Sequence, residues 1–206
     1  VVVEAFKRSG YKADIKFYPW ARAVNLVESG DVDVLFPEYY DESRKKTCVF
    51  SESFPGGPVG LFKRKSLKVS YSADPLKEQT KALKALSKYS FGVVRGYVNT
   101  KAFDDATFLK KEVAVSDEIN LKKLNGERID FIFIDKFVAL YLLNKKFPQF
   151  KDKLEFMEPP LEKKDLYLAF SKKTADHMKK LKAYNAGLKQ IKVDGTLAKI
   201  MKKYGF

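Results

Sequence analysis

Several charged and aromatic residues follow apolar runs that predict buried strands. In open α/β sheets, ligands bind beyond the carboxyl ends of the strands, because side chains and helix N-termini converge there. Three runs end in such groups: Ile129–Ile134 in Asp135, Phe91–Val94 in Arg95, Gly96 and Tyr97, and Val32–Phe36 in Pro37, Glu38, Tyr39 and Tyr40, with Arg44 close behind. These residues are the first candidates for a binding site.

Asp135 is a carboxylate placed directly after six mostly apolar residues. An unpaired carboxylate at the end of a buried strand is costly, so it needs a partner. One candidate partner is the start of the helix predicted over Lys136–Lys145, since aspartate is a favoured N-cap. The other is the ammonium group of a ligand, and the residues alone leave both open.

Arg44 offers a planar fork of donors that suits a carboxylate. It could bind the carboxylate of a ligand through hydrogen bonds worth about 1.5 to 3 kcal/mol each. The alternative is a surface ion pair with Asp41 or Glu42, which would contribute little.

Trp20 is the single tryptophan and stands beside Pro19 at the predicted start of a helix. It either fills the core or presents a flat face on which a ligand can stack. The nature of that ligand stays open, because the residues near the candidate groups could favour an aromatic, an acidic or a non-amino-acid ligand: Arg22, Tyr39, Tyr40 and Tyr97.

Catalytic and metal-binding patterns are sparse. The chain has one histidine, His177, and one cysteine, Cys48, which argues against Ser/His and Cys/His nucleophilic systems. Cys48 is expected to be buried and inert, and His177 to be exposed. The run Gly92–Gly96 lacks the Gly-Lys-Ser/Thr ending of a phosphate loop. We therefore expect no catalytic residue, no metal and no cofactor.

The net charge of +14 and the pI near 9.6 would suit a nucleic-acid binder. The lysines are, however, interleaved with acidic residues, and no nucleic-acid-binding motif is present, so a hydrated basic surface without nucleic acid is expected. No apolar run approaches the roughly 20 residues that cross a bilayer. The N-terminus also lacks the residue order of a signal peptide.

One sequence element occurs twice, about a hundred residues apart, and predicts two similar α/β lobes with a cleft between them. Leu26–Phe36 and Leu121–Phe133 each read as a helix, a glycine, an aspartate and an apolar strand. The repeated aspartates, Asp33 and Asp130, precede their strands and are expected to be structural. Two strands bounded by proline and glycine predict the crossings between a first lobe of residues 1–62 plus 167–206 and a second lobe of residues 63–166.

The apolar periodicity predicts the remaining elements. The predicted helices are Val1–Ser9, Trp20–Ser29 with Pro19 in its first turn, Leu76–Tyr89, Glu118–Asn125, Lys136–Lys145 and two C-terminal helices. A strand is predicted over Lys12–Tyr18, where polar and apolar residues alternate.

An ordered set of motifs resembles the bacterial extracellular solute-binding proteins, family 3. Each motif is weak by itself, but the set covers nearly the whole chain in the family's order: Leu26–Phe36, Asp41–Arg44, Val49–Phe54, Phe91–Gly96, Gly126–Asp135 and Asp194–Ile200. The resemblance implies a type II periplasmic binding fold, with two α/β lobes joined by two crossover strands that close on a ligand. It also implies that the family's first strand precedes Val1.

The same resemblance implies a function. It implies a non-catalytic, monomeric periplasmic receptor that captures an amino acid and delivers it to the membrane permease of an ABC transporter. Arg44 would hold the ligand's α-carboxylate, Asp135 its α-ammonium group, and Trp20 would form an aromatic wall. The other residues implied to line the site are Glu38, Tyr39, Arg95 and Tyr97.

The sequence departs from the family pattern at the candidate site. Bulky and acidic residues stand where the family has small hydroxyl residues before Arg44, and Tyr97 stands where it has threonine. Two alternatives therefore stay open. One is an enzyme resembling the cyclohexadienyl or arogenate dehydratases, with Glu38 or Asp135 as an acid. The other is the sensor domain of a membrane receptor.

Overall fold

The chain contains both helices and strands, and the computed structural model describes residues 1–205. The helices are α1 (Val2–Arg8), α2 (Trp20–Ser29), α3 (Gln79–Lys84), α4 (Lys101–Asp104), α5 (Asp117–Asn125), α6 (Lys136–Lys145), α7 (His177–Val193) and α8 (Thr196–Tyr204). The strands are β1 (Val34–Glu38), β2 (Cys48–Phe50), β3 (Phe54–Arg64), β4 (Ser90–Val94), β5 (Lys110–Ala114), β6 (Phe131–Asp135), β7 (Leu154–Phe156) and β8 (Glu162–Ser171).

The chain divides into two compact units. Unit 1 contains Val1–Gly56 and Asp165–Phe206, and unit 2 contains Gly57–Lys164. Both boundaries fall inside strands, since β3 begins in unit 1 and β8 begins in unit 2.

Unit 1 is built on β8, with which β1 and β2 both pair antiparallel. The buried face of α7 repeats at three- and four-residue intervals with Leu181, Tyr184, Leu188 and Ile191, as expected for a helix with one face in the core. These side chains cluster with Phe170 of β8 and with apolar residues of α1.

Unit 2 carries the longer sheet. Its strand β4 pairs in parallel with β5 and with β6, and β6 pairs antiparallel with β3, which pairs with β7. Because parallel strands point the same way, Val94, Ala114 and Asp135 end at one edge of this sheet. The helices α5 and α6 pack Leu121, Leu124, Ala139 and other apolar residues into the core.

Several predicted elements are confirmed with their bounds. Helix α2 covers Trp20–Ser29 and ends at Gly30, whose φ of 88° is the left-handed conformation that glycine tolerates. Helix α6 covers Lys136–Lys145 as predicted. Cys48 is buried as expected, and this burial raises the pKa of its thiol.

Other expectations were wrong. The segment Lys12–Tyr18 forms no regular strand, and Phe17 within it is 93% exposed. Pro19 is the N-cap of α2, with an extended ψ of 137°, and so lies before the first turn. The predicted helix over Leu76–Tyr89 shrinks to α3, flanked by turns. His177 is half-buried, with Nδ1 3.1 Å from the carbonyl oxygen of Thr174.

Within residues 1–205, every helix is too short or too polar to cross a membrane.

Candidate functional site

Arg44 of unit 1 is held in a buried ion-pair cluster. It lies in a short 3-10 turn, Glu42–Lys46, and is 8% exposed. Its Nε lies 3.2 Å from Oε2 of Glu38, and its Nη1 lies 3.7 Å from Oε1 of Glu28. The distance between Nε and Oε2 is short enough for an ion pair, but the two atoms are not aligned for a hydrogen bond.

The surface partners that the sequence suggested for Arg44 are engaged elsewhere. Asp41 caps the turn by accepting a hydrogen bond from the backbone N–H of Ser43 at 2.9 Å. Glu42 accepts hydrogen bonds from Tyr40 Oη at 2.6 Å and Lys45 Nζ at 2.9 Å. The arginine is therefore paired inside unit 1 with carboxylates that local sequence did not indicate.

Glu38 is the last residue of β1 and is 2% exposed. Removal from water raises the pKa of its carboxyl to about 7, since burial disfavours the charged form. The positive charge of Arg44 lowers this pKa, and the negative charges of Asp41 and Glu28 raise it. Glu38 is thus a buried carboxyl whose proton is exchanged near neutral pH.

The aromatic candidates of unit 1 lie at different depths. Trp20, the first residue of α2, and Tyr39 are half-buried. Tyr40 is 45% exposed, and its ring lies 5.0 Å from that of Phe50 between centroids. Arg22 is exposed and lies 5.3 Å from the ring centroid of Tyr18.

Asp135 of unit 2 is the N-cap of α6, as one of the two interpretations of the sequence predicted. Its Oδ1 accepts hydrogen bonds from the backbone N–H groups of Phe137 at 2.7 Å and Val138 at 3.1 Å. A carboxylate has two oxygens, so capping through Oδ1 is compatible with contact of Oδ2 with a ligand. The ligand contact itself stays a prediction.

Half-buried Tyr97 and buried Asp117 form a hydrogen-bonded pair at the same edge of the unit 2 sheet. Tyr97 Oη donates a hydrogen bond to Asp117 Oδ2 at 2.9 Å. Asp117 is the first residue of α5 and is 6% exposed. Burial raises the pKa of Asp117 to about 6, the hydrogen bond from Tyr97 lowers it, and the negative charges of Asp135 and Glu118 raise it. Burial and the charge of Asp117 likewise raise the pKa of Tyr97.

The sequence analysis did not identify Asp117. It lies three residues after β5, a strand that was not predicted because most of its residues are charged or exposed. The available signal was Ser116, which is a typical helix N-cap and accepts from the backbone N–H of Ile119 at 3.4 Å.

The structure therefore brings Glu38 together with Arg44 in unit 1, and Tyr97 with Asp117 in unit 2. Arg95 is exposed. The repeated aspartates make structural contacts: Asp33 Oδ1 accepts from Lys180 Nζ at 2.6 Å, and Asp130 Oδ2 accepts from the backbone N–H of Ser90 at 2.9 Å. Across residues 1–205, no group of three or more histidine, cysteine, aspartate or glutamate side chains is placed to hold a metal ion.

Asp117→Asn is expected to change how stability depends on pH. The fold raises the pKa of Asp117 from 3.8 to about 6. Between these two pH values the folded protein keeps a proton that the unfolded chain has lost, so the free energy of unfolding decreases as the pH rises. The asparagine variant has no such proton to lose. The free energy of unfolding of the variant minus that of wild type should therefore increase by about 2 kcal/mol from pH 4.5 to pH 7.5. Urea denaturation at both pH values measures this gain. Asp152→Asn, at an exposed position, should show none, and equal behaviour of the two variants would contradict the prediction.

Comparison with known proteins gives a family match over the whole chain. The sequence pattern of the "Bacterial extracellular solute-binding proteins, family 3" matches residues 1–206. A search of curated proteins found no significant match.

Three solved structures illustrate which proteins share the fold of this chain. The substrate-binding protein of an amino acid ABC transporter is 19% identical, with a TM-score of 0.79, covering 98% of this chain and 84% of that one. An ancestral arginine-binding protein bound to arginine is 22% identical, with a TM-score of 0.77 and the same coverages. The GluR0 ligand-binding core from Nostoc punctiforme, in complex with L-glutamate, is 13% identical, with a TM-score of 0.76, covering 98% and 86%. At these identities the likeness shows the fold, and it confirms the predicted α/β class and type II periplasmic binding fold.

Proposed function

Because the chain belongs to the bacterial extracellular solute-binding proteins, family 3, we propose that it is a non-catalytic receptor that binds an amino acid and delivers it to the permease of an ABC transporter. The observation that carries the proposal is the family match over residues 1–206. Arg44, which is buried in unit 1, and Asp135, which ends β6 in unit 2, supply the two opposite charges that an amino acid would need. Structural neighbours that hold arginine or glutamate support an amino acid as the ligand.

The residue roles follow the family resemblance. Arg44 binds the ligand's α-carboxylate, because its planar fork matches a carboxylate, and Asp135 binds the α-ammonium group. Trp20 forms an aromatic wall against the ligand. The further contacts that we propose come from Glu38, Tyr39, Arg95 and Tyr97. The receptor acts as a monomer in the periplasm.

Calorimetric titration with a panel of the twenty amino acids tests this proposal. Arg44→Ala and Asp135→Ala should each weaken the binding of the tightest ligand by about 100-fold or more, since each removes a charged contact worth roughly 3 kcal/mol. Arg128→Ala and Asp152→Ala remove the same charges at exposed positions outside the proposed site and should leave affinity unchanged.

Circular dichroism must show that each variant is folded before its affinity is compared. Arg44→Lys, which keeps the charge but loses the planar fork, provides a second variant with an intact countercharge for Glu38. Unchanged affinity in both Arg44→Ala and Asp135→Ala would rule out the proposed site.

One observation favours a second function, an enzyme resembling the cyclohexadienyl or arogenate dehydratases. The pKa of Glu38, raised to about 7 by burial, is that of a carboxyl able to donate a proton at neutral pH. Incubation with prephenate and with arogenate distinguishes the two functions. Turnover that is lost in Glu38→Gln would establish the enzyme, whereas tight amino-acid binding without turnover supports the receptor.

A further inference from the structure

Half of the positive charge of the chain lies in its last two helices and the turn between them. Residues 177–206 contain eight lysines and one acidic residue, Asp194, which gives this segment a formal charge of +7 out of the chain's +14. The carboxylate of Asp194 is itself paired, because its Oδ2 accepts from Arg8 Nη1 at 2.7 Å. Lysines are interleaved with acidic residues elsewhere in the sequence, but not in this segment.

Helix α7 of unit 1 has an outer face opposite its buried face. The buried line begins at Leu181 and ends at Ile191. Because each residue of an α-helix turns by about 100°, residues two positions away from the buried ones lie on the opposite side. The outer line is therefore about 20 Å long, and all of its members are exposed: Lys179, Lys182, Ala186, Lys189 and Val193.

The positive charge of this outer line is not neutralised within the protein. Among residues 1–205, no carboxylate lies within ion-pair distance of Lys179, Lys182 or Lys189. The lysines on the flanks of α7 differ, since Lys180 Nζ pairs with an aspartate at 2.6 Å and Lys192 Nζ donates to a backbone carbonyl oxygen at 2.9 Å. The three outer lysines are thus placed to contact an anionic partner.

Exposed apolar side chains stand among these lysines. Val193, at the end of the outer line, is 81% exposed, and Met178, beside its start, is 44% exposed. On α8, Tyr204 is 68% exposed, and Lys203 Nζ lies 5.7 Å from its ring centroid. Such side chains gain free energy when a partner removes them from water, so a partner that is both anionic and apolar fits this surface best.

The surface of an anionic bilayer has both properties. Lysines near it are attracted to the lipid headgroups, while side chains such as valine and tyrosine enter the boundary between headgroups and acyl chains. A nucleic acid is a poorer match, because its backbone offers phosphates without an apolar layer. The guanidinium forks that bind phosphate in two places are also missing, since residues 177–206 contain no arginine.

We propose that the outer face of α7, together with the exposed lysines of α8, is a membrane-docking surface that binds anionic phospholipid headgroups. The α8 lysines that take part are Lys199, Lys202 and Lys203. This inference goes beyond the proposed function, because docking requires neither an amino acid nor a permease. A receptor docked in this way would stay close to the membrane that contains its permease.

Sedimentation with lipid vesicles tests the proposal. The probes are vesicles of phosphatidylcholine alone and vesicles that also contain about 30% phosphatidylglycerol, an anionic lipid. At about 0.1 M salt, the protein should bind the anionic vesicles at least about tenfold more tightly than the neutral ones. The difference should shrink at about 0.5 M salt, because salt screens exposed charges.

A triple variant removes the outer charges of α7. Lys179→Gln, Lys182→Gln and Lys189→Gln together should weaken binding to the anionic vesicles by about 100-fold, since each lysine near such a surface contributes about fivefold. Val193→Ser should weaken it by about threefold through the loss of an apolar contact, an effect that a purely electrostatic site would not show.

The matched control changes three lysines of unit 2. Lys65→Gln, Lys68→Gln and Lys84→Gln together lower the net charge of the chain by the same amount at exposed positions. This variant should bind the anionic vesicles as wild type does, within about twofold. Circular dichroism must show that both triple variants are folded before their binding is compared.

Three results would overturn the proposal. The first is equal binding by the two triple variants, because total charge and not the outer face would then determine binding. The second is binding of duplex DNA as tight as that of the anionic vesicles and lost in the α7 triple variant, which would make the surface a general polyanion site. The third is no preference of wild type for the anionic vesicles. None of these results affects the proposed function, which amino-acid calorimetry tests separately without lipid.

Discussion

Gly187→Ala is expected to destabilise the protein by about 3 kcal/mol or more. Gly187 lies on the buried face of α7, where α1 packs against it. An added Cβ would lie 1.9 Å from the carbonyl oxygen of Ala5 and 2.7 Å from its carbonyl carbon. Both atoms belong to the backbone, so no side-chain rotation can relieve the clash and α1 must move. Overpacking of this kind usually costs about 1–3 kcal/mol, and more where the obstacle is rigid.

The clash with α1 predicts a loss of stability in Gly187→Ala, whereas helix propensity alone predicts a gain. The two effects can therefore be distinguished by one measurement. Alanine is favoured over glycine within a helix by about 1 kcal/mol, so without the contact to α1 the variant would be more stable. Urea denaturation of Gly187→Ala measures the difference. Gly126→Ala is the comparison variant, because its φ of −86° suits alanine. An added Cβ there would lie 3.2 Å from the carbonyl oxygen of Lys122, a tight contact that a shift of a few tenths of an ångström relieves. A Gly187→Ala protein as stable as wild type would show that α1 does not pack this closely.

Arg44→Met is expected to cost about 3–5 kcal/mol at pH 8, the usual effect of leaving one member of a buried ion pair without its partner. The variant leaves Glu38, which is 2% exposed, beside the negative charges of Glu28 and Asp41. The loss should be smaller at pH 5. Folding raises the pKa of Glu38 to about 7, so the carboxyl is neutral at pH 5 and its ionisation destabilises the fold as pH rises.

A double-mutant cycle tests this explanation. Glu38→Gln removes the buried charge, so the pair Glu38→Gln and Arg44→Met should recover much of the stability that Arg44→Met alone loses at pH 8. Unfolding is followed in urea at pH 5 and pH 8, with Arg22→Met as the control at an exposed arginine. Equal losses at the two pH values, or no recovery in the double variant, would mean that Glu38 and Arg44 are not coupled.

Elements with strong local signals were predictable from the sequence. Helix α2 is bounded by a proline and by a glycine in the left-handed conformation, and helix α6 follows an aspartate that caps it. These signals act within one turn of the chain, through hydrogen bonds and backbone conformations that neighbouring residues control. The ordered motifs also identified the family.

Elements that depend on distant partners were not predictable. Residues 12–18 alternate like a strand, but alternation only becomes a strand when a neighbouring strand supplies hydrogen bonds, and this segment forms no regular strand in the structure. Conversely, β5 has little apolar character and is a strand because β4 pairs with it along its whole length.

The sequence by itself determined the α/β class and the charged residues that could hold a ligand, because these follow from residue types and local periodicity. Its ordered motifs resemble those of the family. Only the tertiary structure decided what surrounds those charges. Glu38 is six residues from Arg44, and Tyr97 is twenty residues from Asp117. Each pair meets because the fold brings its two members together, and Glu38, Arg44 and Asp117 are buried there. The energies of charged groups depend on their burial and on the distances between them, and both are properties of the folded chain.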